Sequence, residues 1–194
     1  MTDHTASIRP DASRLHDPGG KVRLELPDGV RGEAQFSPCG RYRQALIRDW
    51  TATDTAPRTI FFIGQNPSVA DAEVSDPTCH KELGMARRWG YTRYLKANML
   101  DWRATSPRDV PKDPAIACSP ANITAILEMA AEAETLVLAY GRLHPRYQPI
   151  ITEIIARLRG AGHGLHCLGL NKDGSAKHPL YLRNDTPLRP FPTG

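Results

Sequence analysis

The stretch Thr59-Ile60-Phe61-Phe62-Ile63-Gly64-Gln65-Asn66-Pro67-Ser68 constrains this chain more than any other. It opens as an unbroken apolar run rich in aromatic and β-branched side chains. That is the pattern of a strand buried on both faces, and so of a central strand in a covered sheet. The run breaks on Gly64, and polar side chains follow around a proline that cannot continue the ladder. Gln65, Asn66 and Ser68 therefore leave the carboxyl end of a central strand, the edge where open α/β sheets bind ligands.

Further strand patterns follow. Buried strands are expected near residues 60–63, 95–98, 135–140 and 165–169, separated by helical spacing over 78–89, 122–133 and 146–159. Thr78 reads as the N-cap of the first helix and Gly90 as its stop. This alternation predicts an α/β fold, a three-layer α/β/α arrangement around a central four-stranded parallel sheet with right-handed crossovers. Residues 21–26, 33–36 and 42–50 read as N-terminal antiparallel strands beside that sheet. Residues 1–20, polar and broken by Pro10, Pro18 and Gly19-Gly20, read as a flexible N-terminal tail, with 21–194 as a single domain. The long loop 101–120 is expected to serve function. Asn66, Asn98, Gly141 and Asn171 each follow one of the four strands, so one rim and one site are expected.

At 194 residues the chain can bury one core without staples. No apolar run approaches the roughly 20 residues of a membrane helix, and residues 1–10 carry no apolar signal core. A cytoplasmic protein with no membrane partner, monomeric, is the expectation. Cys39, Cys79, Cys118 and Cys167 are far apart with no C-x-x-C pair, so neither a metal nor another cofactor is expected. The net charge of +4 is uneven: from Gly141 onward eight Lys/Arg stand against Glu153, Asp173 and Asp185, an excess of +5. Such a segment suits a polyanionic partner as well as it suits a solvated surface.

The motif set resembles a bacterial and phage family, the domain-of-unknown-function family numbered 1643. The residues that carry the resemblance are Gly64 to Ser68, Asp76-Pro77-Thr78, Asn98, Arg103-Ala104-Thr105, Tyr140-Gly141, Leu168-Gly169, and Lys172 through Gly174 to His178-Pro179-Leu180-Tyr181. They span roughly residues 36 to 185, with Tyr140 standing where tryptophan is expected. That family in turn looks like a distant relative of the uracil-DNA glycosylase superfamily. Gly64-Gln65-Asn66-Pro67 is similar to its first motif, Asn98 to the asparagine ending its next strand, and His178-Pro179 to its His-Pro loop. Leu180-Tyr181 departs from the usual Ser-Pro-Leu, and Ser68 from the residue usual after the first motif, so no particular base is implied.

The resemblance implies a uracil-DNA-glycosylase-like fold and a hydrolase that cleaves the N-glycosidic bond of a base, modified or not, in nucleic acid (DNA first) or in a nucleotide. Such chemistry needs a positioned water below the sugar and a donor to the charge developing on the base. Asn66 would orient the water and His178 would donate; these are the catalytic candidates. Gly64, Gln65, Pro67, Ser68, Asn98, Asp101, Arg103, Lys172 and Tyr181 are the binding candidates. Asn98 would read a base edge, Arg103 and Lys172 would meet phosphate, and Tyr181 would stack. Asp101 would order water or a sugar hydroxyl. Each also has an ordinary structural use: Asn66 as a turn residue before proline, Asn98 as a strand-end cap, Asp76-Pro77-Thr78 as a helix entry. A module that binds a nucleotide or nucleic acid on the same rim without chemistry is the alternative.

Overall fold

The computed structural model describes residues 12–193. It is a mixed α/β fold, with one large mixed sheet and, among the described residues, four α-helices. In chain order the elements are β1 (Leu24–Glu25), β2 (Arg31–Phe36), β3 (Arg43–Asp49), β4 (Thr59–Gly64), β5 (Val74–Ser75), α1 (Pro77–Arg88) and β6 (Arg93–Asn98). Then come α2 (Pro114–Ala117), α3 (Pro120–Ala131), β7 (Thr135–Leu138), α4 (Gln148–Gly160), β8 (Leu165–Cys167) and β9 (Arg189–Pro190).

The apolar run of β4 lies buried along its whole length, between β6 and β7. The seven strands run in the order β2-β3-β6-β4-β7-β8-β9. β4 pairs in parallel with both neighbours, and β7 in parallel with β8. The outer pairs β2–β3, β3–β6 and β8–β9 are antiparallel.

Strand alternation sorts the core into two clusters. Phe61, Ile63, Leu95 and Leu138 pack with Ile126 and Ala130 of α3 and with Ile151, Ile154 and Leu158 of α4. Ile60, Phe62, Tyr94 and Val137 point the other way and pack with Cys79, Met85 and Ala86 of α1. Burying both faces of β4 in this way explains why its sequence shows no polar alternation.

Several local readings need correction. Residues 21–26 do not flank the main sheet; β1 pairs with β5 in a separate two-stranded ribbon. The N-cap of α1 is Asp76, not Thr78: its carboxylate accepts from the Cys79 amide at 2.8 Å, with Pro77 in the first turn, where its missing N–H costs nothing. Gly90 does close that helix, at φ +79°. The 101–120 loop contains the short helix α2 and a 3-10 turn at Pro107–Asp109. The proline-rich tail supplies an edge strand, β9.

The tail expected over residues 1–20 lies, for residues 1–11, outside the described residues. Residues 12–20 run against the loop after β6: the Thr105 amide donates to the Pro18 carbonyl at 2.8 Å, and His16 Nε2 lies 3.0 Å from the Arg103 carbonyl oxygen. No helix of the described residues is long and apolar enough to cross a membrane.

Candidate functional site

The ends of β4 and β6 leave the sheet side by side. The Met99 amide donates to the Gly64 carbonyl at 2.9 Å and the Leu100 amide to the Gln65 carbonyl at 3.0 Å. Above these ends opens a cleft of about 500 Å³. Its walls come from β3 and β6, the loop after β4, the start of α1, the loop after β6 and the segments after β7 and β8. The structure brings six of the sequence candidates together there: Gln65, Asn66, Ser68, Asn98, His178 and Tyr181.

Asn66 is held by its donors. Its Nδ2 donates to the Ala104 carbonyl at 2.6 Å and to the Pro67 carbonyl at 3.2 Å. Both amide hydrogens are thus committed to backbone, and the side chain can offer the cleft only its Oδ1 acceptor. Pro67 is buried and does not line the cleft; its carbonyl also takes the Ala104 amide at 2.8 Å, which locks the two loops together. Ser68 Oγ and Thr105 Oγ1, 2.6 Å apart, add a second tie.

His178 is held by its acceptor. Its ring caps the 3-10 turn Pro179–Tyr181, with Nδ1 accepting from the Leu180 amide at 3.3 Å. Burial pushes its pKa down to about 4, the Lys96 ammonium pushes the same way, and the Asp76 carboxylate opposes them. At neutral pH the ring is therefore uncharged, and with Nδ1 accepting, the proton sits on Nε2. Gly141, at φ +67°, leaves room for this histidine: a Cβ there would sit 3.1 Å from His178 Cβ.

Beneath lies a polar floor built on β6 and α1. Lys96 of β6, 3% exposed, donates to both carboxylate oxygens of Glu82, which is fully buried, at 2.7 and 2.8 Å. Tyr94 Oη donates to the same carboxylate at 2.6 Å. Burial raises the Glu82 pKa, and the two hydrogen-bonding partners oppose that rise. Gly64 is required by this arrangement, because a Cβ at that position would lie 2.5 Å from Lys96 Nζ and 2.8 Å from Asn98 Oδ1. Asn98, 1% exposed, has an Nδ2 with no hydrogen-bond partner among the described residues.

Three binding candidates lie elsewhere. Asp101 is buried and accepts from the Ser119 amide (2.7 Å), Ser119 Oγ (2.5 Å) and Gln44 Nε2 (2.9 Å), so it ties α3 to β3. Arg103 is buried, donates to the carbonyls of Ser13 and Gly40, and lies over the Phe36 ring, so it anchors the N-terminal segment. Lys172 sits exposed in the 171–175 turn, outside the cleft lining. Tyr181 stands at the mouth with 87% of its surface exposed.

The sequence reading missed Lys96 and Arg43 as lining residues, and Asp76 beyond its part in the helix entry. A lysine between Leu95 and Ala97 in a strand buried on both faces was itself a signal. Arg43 was not findable by alternation. A register shift at Gln35/Phe36 pairs Phe36 with Arg43 and Gln35 with Ala45, leaving Gln44 as the extra residue of a bulge. The bulge places Arg43 in the cleft beside Cys79, a neighbour of Leu46 on the α1 face, despite its opposite parity.

No curated protein and no solved structure matches the chain. A family model described as a protein of unknown function (DUF1643) matches residues 41–180, which include every cleft-lining residue except Tyr181, and the chain belongs to that family.

Proposed function

We propose that the cleft is the active site of a glycosylase-like hydrolase, which breaks the N-glycosidic bond of a base in nucleic acid or a nucleotide. The observation that carries this reading is a pair of fixed polarities in one cleft. Asn66 presents an acceptor because its donors are spent on Ala104 and Pro67, and neutral His178 presents an Nε2–H donor because its Nδ1 is spent on Leu180. An acceptor can orient a water for attack at the sugar, and a neutral donor can stabilise the departing base. An amide cannot take the water's proton as a carboxylate would, so the leaving base must gain most of its stabilisation from the donor side. In this reading the four parallel-paired strands with helices on both faces form the uracil-DNA-glycosylase-like three-layer core that the sequence resemblance implies.

The test is base release, followed by chromatography and mass detection, from oligonucleotides that each carry one normal or modified base and from the matching free nucleotides. A positive substrate should lose about 10²–10⁴ in rate on Asn66→Ala with little change in affinity, the range for a lost water-orienting group. Binding without release from any member would instead leave a nucleotide- or nucleic-acid-binding module on the same rim.

A further inference from the structure

Arg43 is a buried cation with no ion-pair partner among the described residues. It is 1% exposed and lines the cleft. Its Nη1 donates to the Ala70 carbonyl at 2.6 Å, its Nε has no partner, and no carboxylate among the described residues pairs with it. A guanidinium cannot shed its proton to escape the cost of burial.

Arg48 on the same strand provides the contrast. It too is buried, but its guanidinium donates to three carbonyls, those of Ile47, Asp71 and Val74, and it takes no part in the cleft. Arg48 is explained by the fold; Arg43 is not.

Two more donors stand on the neighbouring strand β6. Asn98 Nδ2 is buried and unpartnered among the described residues. Lys96 gives two hydrogen bonds to Glu82, and an ammonium has three N–H groups. Of the nearby carboxylates, Glu82 is taken by Lys96 and Tyr94, whereas Asp76, which also lines the cleft, accepts from the Cys79 amide through Oδ1 alone and pairs with no cation among the described residues. The side of the cleft formed by β3 and β6 offers these donors and the unpaired charge of Arg43, so it fits a ligand group made of negatively charged oxygen.

We propose that Arg43, with Lys96 and Asn98 beside it, is the receptor for an oxyanion on the cleft's ligand, either the phosphate of a nucleotide or a carboxylate on a modified base. The proposal rests on the nucleotide part of the functional reading and needs no bond cleavage. Calorimetric titration with nucleosides, their 5′-monophosphates, carboxylate-bearing bases and their neutral parents separates the two sources. The oxyanion form should bind about 10- to 100-fold tighter than its neutral parent, the range for a charge-assisted bond to a buried cation. Arg43→Met should lose that gain and Arg43→Lys should keep part of it. Inorganic phosphate alone should raise the melting temperature of the wild type but not of Arg43→Met. A gain with the monophosphates assigns a phosphate; a gain with the carboxylated bases assigns an acidic base. Equal binding of charged and neutral forms by the wild type overturns the receptor, as does a gain that survives in folded Arg43→Met. Should that variant fail to fold, the wild-type comparison and Arg43→Lys decide. An oxyanion gain without base release would sink the glycosylase reading and leave the receptor standing.

Discussion

His178 shows how one backbone contact can set the chemistry of a side chain. With Nδ1 spent on the Leu180 amide and the pKa held near 4, its charge state does not change across the range where an ordinary histidine titrates. A substrate that releases its base should therefore do so at a rate flat from pH 8 to about 5, falling only as the ring protonates; an inflection near 6.5 would contradict the buried neutral donor. The same group bears on stability. Between pH 6.5 and about 4 the unfolded chain binds a proton that the folded chain refuses, so stability is complete above 6.5 and drains as pH falls through that window. Discounted for partial exposure, the loss is on the order of 2 kcal/mol. In His178→Asn, whose side chain can still accept from Leu180, melting curves should lack that slope. The residues legible in the sequence, Asn66, Asn98 and His178, are those tied to a strand end or a His-Pro turn. Asp101 and Arg103 were misread because a charge in a loop looks solvated, and only the fold reveals that Ser119, Gln44, Ser13 and Gly40 claim them.

At the scale of elements, β6 joins core to cleft. Leu95 and Ala97 face one cluster while Tyr94 and Lys96 face α1, where Glu82 receives them both. Removing one member of such a pair strands a buried charge and costs about 3–5 kcal/mol, whereas replacing both with apolar groups is often close to neutral. Denaturant titration should therefore find Lys96→Met strongly destabilised and Lys96→Met/Glu82→Leu largely restored. In Lys96→Met the orphaned Glu82 is held even further above its unfolded value. Its folded form then keeps a proton that the unfolded form loses, and stability should fall as pH rises above about 4.5. A single mutant equally stable at pH 4.5 and 7.5 would argue against a buried charge there. The parallel-paired strands were legible because each is a short, mostly apolar run closed by a polar or glycine signal. β9 was not, since an edge strand needs few ladder bonds and tolerates Pro190. Nor was the bulge in β3, which leaves no mark on local composition.

Across the whole molecule, the site depends on a segment outside the family match. That match begins at residue 41, yet residues 12–20 hold the loop that holds Asn66. The chain of contacts is short. His16 and Pro18 engage Arg103 and Thr105; Arg103 reaches back to Ser13; between them the Ala104 carbonyl receives Asn66 Nδ2. Gly20 packs so closely here that a Cβ would lie 2.5 Å from Val69 Cγ1 and 2.7 Å from Thr105 Oγ1. None of these contacts belongs to the central sheet, whose two clusters are built from β2 onward. A chain beginning at Lys21 should therefore keep its central fold while losing order at the rim. Deuterium uptake should rise over residues 66–69 and 103–105 and stay unchanged in β4, β6 and β7, because local opening costs least where few buried contacts remain. Any base release should fall toward the level of Asn66→Ala, since a displaced Ala104 carbonyl leaves Asn66 without its orienting acceptor. Unchanged uptake at the rim, or full activity in the shortened chain, would show that the loops hold their register unaided.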